Sequence, residues 1–507
     1  MELTNASSDI AQAVCQLARN AIHFSDADLN QPYRWGAHQE GVRFALIGAM
    51  HELRTLAVNI AADCRHAGIL TTRAQHALSH YHAAFRDLDA ILLGLPSDDV
   101  DKTPAVGEWS VRETLAHMIH VQRNFFALVH YGLRRQREGG DFPAELPDGE
   151  ADRLLGAIDA ITGLFTSGGS LEELYDYYTR IHYRTLSEFA SIDDIEVDGP
   201  SIWWEGEPFT LEYRIHRMEA HLRQHAIQIE KILEQIGHPI SEARRLLRVV
   251  LAALAEVEGL LISFPTVDDT KIVAVARSIH RLADDAAASV ANANSMLAAV
   301  TGGDRERVRT LVEEYPQLVN VLSSDGVSVA RLAAYYDQKE IAEILVRSPE
   351  IDLDIWDGAA LGQLVAVEKN IQWAGDQALN TYSRDGYTPL QLACFFGHEE
   401  VANYLIIQGA DIHAISRNPM SIQPIHAAAA GNHLGILRLL LQAGADPNAM
   451  QQDGFRPLHA AAQNGSAAMV HLLVEHGADP ALPNGKGHLP RQLAEESGVA
   501  EVIDLLS

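Results

Sequence analysis

Apolar residues in the first half of the chain recur every three or four positions, which is the spacing of an amphipathic helix. This pattern predicts helices over residues 41–62 and 72–93. Gly94 and Pro96 follow the second segment directly and are typical of a helix end. The chain therefore begins with helical segments joined by short turns.

Polar side chains that cap helix ends mark where the next helices begin. Ser110 followed by Glu113 predicts a capping box for a helix that reaches about Leu133, and Ser170 with Glu173 predicts another. Further helices are predicted over 211–236, 241–261 and 266–294. Because no convincing strand appears between these helices, the sequence indicates an antiparallel helical bundle.

A repeat of about 33 residues fills the last third of the chain. A turn proline recurs at Pro389, Pro424 and Pro457, and the triplet Gly-Ala-Asp recurs from positions 409, 444 and 477. Two independent markers with one period indicate a stacked solenoid, in which no unit buries its apolar face alone. Solenoids mostly bind other proteins, so this region is predicted to be a docking surface.

The unit that begins at Gly386 closely resembles the ankyrin repeat. Its Thr-Pro-Leu turn at 388–390 opens a first helix, a glycine at Gly397 joins the second, and Gly-Ala-Asp at 409–411 begins the next loop. Gln391 stands where the family usually has histidine. The resemblance implies an all-α repeat domain that holds a protein partner.

Two further units, at 423–427 and 456–460, match the same pattern. Upstream of Gly386 the pattern fades, so six or seven units are expected in total. The resemblance implies that His426 and His459 hydrogen-bond the backbone between repeats, because a buried polar group needs a partner.

The charge balance bears on the kind of partner. The 507 residues include 39 basic and 68 acidic side chains, for a formal net charge of −29. Such a surface repels phosphate backbones, so no nucleic-acid partner is expected.

Cysteine usage and hydropathy indicate the compartment. Cys15, Cys64 and Cys394 form neither a C-x-x-C motif nor a disulfide framework, which fits a reducing cytoplasm. The most apolar stretch, 249–264, contains two glutamates and is too short to span a bilayer. The first ten residues lack a signal pattern. We therefore expect a cytoplasmic protein without a membrane partner.

Two histidines follow the apolar stripe of the predicted helix over 211–236. His221 and His225 lie one turn apart on one side, so their imidazoles can converge on one cation. His117, in the middle of the helix that starts after Ser110, is the natural third ligand. Three neutral imidazoles suit zinc or a related first-row metal, with positions left for water or substrate.

The spacing alone leaves other interpretations open. The same H-x-x-x-H pattern occurs at His76 and His80, and histidines of the core or the surface are the commoner explanation. His120 is the main rival to His117, although it is expected on a more solvated face beside Glu113.

Two sequence blocks, WSVRETLAH at 109–117 and EAHLRQH at 219–225, resemble the DinB/YfiT-like metalloprotein superfamily. The resemblance covers roughly residues 72–262 and keeps the order of the blocks. It implies a four-helix bundle that binds a divalent metal ion, with zinc or nickel favoured. Carried over residue by residue, it gives the metal ligands His117, His221 and His225.

These patterns together predict an all-α protein with four parts. They are an N-terminal helical extension over 1–71, a DinB-like bundle over 72–265, a connecting helix over 266–294 and an ankyrin-repeat domain over 295–507.

Two functions remain open at this stage. The favoured one is a metal-binding protein that docks a partner through its repeats. The other is a metal-dependent transferase or isomerase that uses a low-molecular-weight thiol, as characterised relatives of the bundle do. That thiol would be exogenous, because no cysteine lies near the proposed ligands in sequence. Trp203 and Trp204 are candidates to line a substrate pocket, but packing is favoured for them, and capping explains Glu113 without chemistry.

Overall fold

The computed structural model describes residues 5–36, 38–139, 145–166, 169–204, 207–238, 240–264 and 269–507. The chain divides into two compact units, Met1–Ser289 and Val290–Ser507. Both units are built almost entirely of helices, which confirms the predicted all-α class.

The described part of the first unit contains eleven helices, the last of which continues into the second unit. They are α1 Asn5–Ala21, α2 Asp26–Leu29, α3 Arg43–His66, α4 Arg73–Leu92, α5 Val111–Glu138, α6 Glu150–Leu155, α7 Leu171–Phe189, α8 Asp194–Val197, α9 Leu211–Gln235, α10 Glu242–Ser263 and α11 Asp269–Gly302. Short 3-10 turns cover Ser97–Asp99 and Ile158–Phe165. The predicted capping box at Ser110 is present, and its hydroxyl accepts from the Glu113 amide. At the second predicted box the Ser170 hydroxyl accepts from the Glu173 amide, but the reciprocal bond is not formed. The Thr210 hydroxyl caps α9 by accepting from the Tyr213 amide.

Four of these helices form a bundle around one apolar core. α4 and α5 each pack against both α7 and α9. The core is filled by side chains such as Leu78, Phe85, Met118, Phe126 and Ile229. α10 packs on the outer side of α4, and α1 and α3 pack on α10. The first helices of the chain are thus held against the bundle within one unit.

The expectation that this region lacks strands is wrong. β3 Pro200–Trp204 pairs antiparallel with β4 Glu207–Thr210, and β1 Pro32–Trp35 pairs with β2 His38–Gly41. Both strands contain a proline, Pro200 and Pro208, which a two-stranded hairpin tolerates because it consists only of edge strands. The β3–β4 hairpin leads directly into α9.

The second unit is a stack of short helix pairs. After the end of α11 come α12 Arg305–Glu314, α13 Val329–Tyr335, α14 Lys339–Val346, α15 Ile355–Ala360, α16 Leu364–Ala374, α17 Pro389–Phe396, α18 Glu399–Ile407, α19 Pro424–Ala430, α20 Leu434–Gln442, α21 Pro457–Gln463, α22 Ala467–Glu475, α23 Pro490–Ser497 and α24 Ala500–Leu505. Further 3-10 turns cover Pro316–Asn320, Asp376–Asn380 and Gln452–Gly454. Helix α11 runs without a break to Gly302, past residue 295, where the repeat domain is predicted to begin.

Candidate metal centre

Helices α5 and α9 bring the three predicted histidines together. His117 lies two turns after the Ser110 cap of α5, and the neighbouring face of α9 carries His221 and His225 one turn apart. One potential ligand atom of each histidine lies within 4.8 Å of those of the other two. Helix packing therefore joins residues that are more than a hundred positions apart in sequence.

The distances match those expected around a small cation. The Nε2 atoms of His117 and His221 lie 3.3 Å apart. Nitrogens bound at about 2.0–2.1 Å to a tetrahedral zinc ion are separated by about 3.4 Å. The His225 ring centroid lies 4.8 Å from that of His117 and 4.4 Å from that of His221. A hydrogen bond would account for the short distance between His117 and His221. It would not account for the convergence of three imidazoles, which fits a shared metal ion.

The surroundings keep at least two of these rings neutral. Burial lowers the pKa of His221 to about 3, and the neighbouring His225 and His117 add to the effect. Burial, followed by His225, also lowers the pKa of His117. A neutral imidazole presents the lone pair that a metal ligand requires, so the site favours the ligating form.

A glutamine orients the third ring. The Nδ1 atom of His225, whose side chain is buried, lies 2.8 Å from Oε1 of Gln228. A carbonyl oxygen can only accept, so Nδ1 carries the proton and Nε2 keeps its lone pair for a metal. Sequence reasoning did not single out Gln228. Its position three residues after a proposed ligand on the same helix is the signal that would have found it.

Two aromatic rings border the cluster. The Trp109 ring, 42% exposed, lies 5.1 Å from the His117 ring, and the Phe125 ring lies 6.0 Å from the His221 ring. The sequence placed Trp109 at the start of the block 109–117 that resembles the DinB/YfiT-like superfamily, without a role of its own. In the structure it covers the side of the cluster nearest the start of α5.

The rival residues lie elsewhere. His120 is exposed and packs against the Phe165 ring, while His76 and His80 are exposed on α4. Glu113 accepts a hydrogen bond from the Ser110 backbone amide, as its capping role requires. The side chains of the two tryptophans at 203 and 204 lie outside the described residues.

An open cavity of about 630 Å³ lies further along α5 and α9, and none of the three histidines lines it. Val121, one turn after His117, and Phe125, beside His221, form part of its wall. Arg214, two turns before His221 on α9, also lines it, and its guanidinium donates to the Ser201 hydroxyl and the Ile202 carbonyl. The cavity is large enough for a small organic molecule.

A second cluster of polar groups lies buried in the same unit and was missed from the sequence. His82 places Nε2 2.8 Å from Glu258 and Nδ1 2.9 Å from His182, and Arg86 donates two hydrogen bonds to Glu258. All four side chains are almost fully buried. Burial alone would raise the pKa of Glu258, but Arg86 and then His82 lower it to about 2. The charges of Arg86 and Glu258 therefore balance each other within the core, and His82 is hydrogen-bonded to the same carboxylate.

The repeat histidines bond as predicted. Nε2 of His426 lies 3.0 Å from the Ala449 carbonyl, and Nε2 of His459 lies 3.1 Å from the His488 carbonyl. Gln391 makes the equivalent link, donating to the carbonyls of Ala414 and Ile422 at 2.8 Å each. These polar residues therefore connect consecutive repeats.

Comparison with known families agrees with the division of the chain into a helical bundle and a repeat domain. Residues 80–229 match the family model of the DinB superfamily, and residues 296–416 and 413–484 match the model of ankyrin repeats. In the described part of the chain, no helix combines the length and apolar character needed to cross a membrane.

Three curated proteins are similar to parts of the chain. The E3 ubiquitin-protein ligase KEG of Arabidopsis thaliana is 26% identical over 161 residues, covering 32% of this chain and 8% of that protein. Protein fem-1 homolog A-like of Mus musculus is 35% identical over 77 residues, 15% of this chain and 11% of that protein. Protein phosphatase 1 regulatory subunit 27 of Mus musculus is 32% identical over 117 residues, 23% of this chain and 73% of that protein. The matches thus span only a small share of the first two relatives.

Proposed function

The chain belongs to the ankyrin-repeat proteins and carries a DinB superfamily domain ahead of its repeats, and from this premise we propose that it is a metal-binding protein that docks a partner through the repeats. The observation that carries the metal proposal is the convergence of His117, His221 and His225. Their donor set suits zinc or nickel, because neutral imidazole binds both.

The docking proposal has separate support. Ankyrin repeats present an extended surface, and solenoids use such surfaces to bind proteins. Two of the similar proteins are, by name, a ubiquitin ligase and a phosphatase regulatory subunit, whose work involves other proteins. The free thiols Cys15, Cys64 and Cys394 support a cytoplasmic location, where thiols stay reduced.

The cavity lined by Val121 and Phe125, which neighbour His117 on α5 and His221 across on α9, supports a second candidate function in which a small molecule reacts at the metal centre. A bound divalent ion would hold an exogenous thiol as its thiolate. Phe125 and Val121 would exclude water from the apolar part of that molecule, and Gln228 would hold the proton on Nδ1 of His225. This is the thiol-dependent transferase or isomerase considered above.

Metal analysis of the purified full-length protein tests the main proposal. After zinc loading and dialysis, the wild type is expected to retain close to one metal ion per chain, measured by plasma mass spectrometry. His221→Ala removes one of three ligands and should abolish tight binding. The double variant His76→Ala/His80→Ala is the matched control, because it removes the same H-x-x-x-H spacing from an exposed face.

Circular dichroism of each variant should remain that of the wild type. Equal metal content in the wild type and His221→Ala, with the fold intact, would refute the assignment. A loss of metal in the His76→Ala/His80→Ala control would show instead that the metal site is on α4.

A further inference from the structure

The loops between helix pairs form a connected ridge on the repeats. The Arg417 amide donates to the Gly386 carbonyl at 2.8 Å, and the Gln452 amide donates to the Met420 carbonyl at 3.3 Å. We call residues 382–387, 415–420 and 450–453 the loop ridge. Because backbone hydrogen bonds join its three loops, the side chains on it have fixed relative positions.

Two arginines on the loop ridge lack an acidic partner. Arg384 and Arg417 are exposed, and neither forms an ion pair with any described residue. The Arg417 guanidinium lies 4.0 Å from the centre of the Tyr382 ring, which holds it in place. The nearby carboxylate of Asp385 accepts hydrogen bonds from Tyr335 and Ser383 and lies 3.5 Å from Arg331. It is therefore already engaged.

Most other arginines of this unit are paired. The described ion pairs link Arg305 to Glu340, Arg309 to Glu306, Arg347 to Glu343 and Arg491 to Glu495. Arg307, Arg438 and Arg456 of this unit also form no ion pair with a described residue, but Arg384 and Arg417 are the two that lie on adjacent loops of the ridge. Two such cations on adjacent, linked loops attract anions, whereas the exposed carboxylate of Asp453 on the third loop opposes this attraction at that end of the ridge.

Apolar side chains accompany these cations. Ile415, Met420 and Met450 are 52%, 52% and 60% exposed. Tyr387 donates to the Met420 sulfur, and Tyr382 donates to the Ile415 carbonyl, so the tyrosines support the exposed residues. Exposed apolar groups beside charges are typical of protein-binding surfaces, and methionine adapts to varied partners.

We propose that the loop ridge binds an acidic protein segment that carries apolar side chains. This inference rests on the proposed docking function and specifies the partner's chemistry. The partner's carboxylates pair with Arg384 and Arg417, and its apolar side chains cover Ile415, Met420 and Met450. The acidic surface of the rest of the chain disfavours binding of the same segment elsewhere, because like charges repel.

Selection from a displayed library of random linear peptides on the full-length protein tests the proposal. Peptides that bind should be enriched in Asp and Glu together with Leu, Ile or Phe. The double variant Arg384→Gln/Arg417→Gln should weaken their binding on the order of tenfold, measured by fluorescence anisotropy. Arg438→Gln is the matched control, because Arg438 is an exposed, unpaired arginine on helix α20, outside the ridge. Its affinity should equal that of the wild type.

Several outcomes would overturn the inference. They are recovery of basic or uncharged peptides, recovery of no peptide, or binding that Arg438→Gln weakens as much as the double variant. Docking itself is tested separately, by crosslinking in cells and mapping of an identified partner onto residues 290–507. A basic partner found in that way would leave the docking function standing and reject the acidic segment.

Discussion

At the scale of single residues, burial determines whether a polar side chain is neutral or paired with an opposite charge. The imidazoles of His117, His221 and His225 lie close together, and burial lowers the pKa of His117 and His221, whereas His82 is buried beside a carboxylate. The first three could be found from the sequence, since they follow a motif and a helical period. The cluster of His82 and Glu258 could not be found in this way. Helical spacing within one segment does not show that α4, α7 and α10 pack together and bring their polar residues into contact.

Glu258→Gln is predicted to destabilise the first unit strongly. The variant removes the buried carboxylate that accepts two hydrogen bonds from Arg86 and leaves this guanidinium only Asp89 as a counter-charge. Breaking a buried pair costs about 3–5 kcal/mol, which is the upper limit of the expected loss because Asp89 remains. Urea denaturation of the full chain measures the change in the free energy of unfolding, which is taken from the transition of the first unit. Glu256→Gln on the same helix is the control, because Glu256 is half exposed and lies 3.8 Å from Arg54. It should cost less than about 1 kcal/mol.

The same variant should also change the pH dependence of stability. The Glu258 pKa falls from its ordinary 4.5 to about 2 in the folded state, so its contribution is complete above pH 4.5. That contribution is lost as the pH falls from 4.5 towards 2. The stability difference between wild type and Glu258→Gln should therefore narrow over this window. A difference that stays constant would contradict the role assigned to the carboxylate.

At the scale of elements, local chemistry set most boundaries correctly. Caps at Ser110, Thr210 and Ser241 start helices where the sequence predicted them. The β3–β4 hairpin was missed because its strands are short and contain prolines. The repeats were recognised through their turns, and Gln391 shows that the turn position requires a hydrogen-bonding geometry rather than one residue type.

Gln391→Leu is predicted to destabilise the repeats. The substitution leaves the carbonyls of Ala414 and Ile422 without their donor, at a cost of about 1–3 kcal/mol. Gln391→His should stay close to wild type, because His426 makes the same kind of link. Gln408→Leu, on the exposed end of α18, serves as the control. Thermal melts give the melting temperature of all three variants. A Gln391→His variant that melts at as low a temperature as Gln391→Leu would contradict the account.

At the scale of the whole molecule, the sequence changes character where the two units divide. The N-terminal unit has long helices, four of which surround one apolar core, and the C-terminal unit has short pairs that each contact their neighbours. Sequence patterns put the start of the repeat domain at residue 295, and the two compact units divide at 289–290, within the continuous helix α11. No turn signal occurs inside a continuous helix, so the sequence marks this point through the change in helix length and repeat pattern.

We propose that the two units fold independently. A fragment of residues 290–507 should show helical circular dichroism and a cooperative urea transition, because repeat stability comes from contacts between neighbours. The complementary fragment 1–289 should keep its helices and its metal. A 290–507 fragment with the spectrum of an unfolded chain would show that the repeats depend on the first unit.

The central claim is that three histidines on α5 and α9 hold one metal ion. Crystals of the full-length protein grown with zinc, measured on both sides of the zinc absorption edge, test it most directly. The account predicts one anomalous peak per chain, at about 2.0–2.1 Å from a nitrogen of each of His117, His221 and His225. An anomalous map without a peak at these histidines, or with its peak on other side chains, would contradict it.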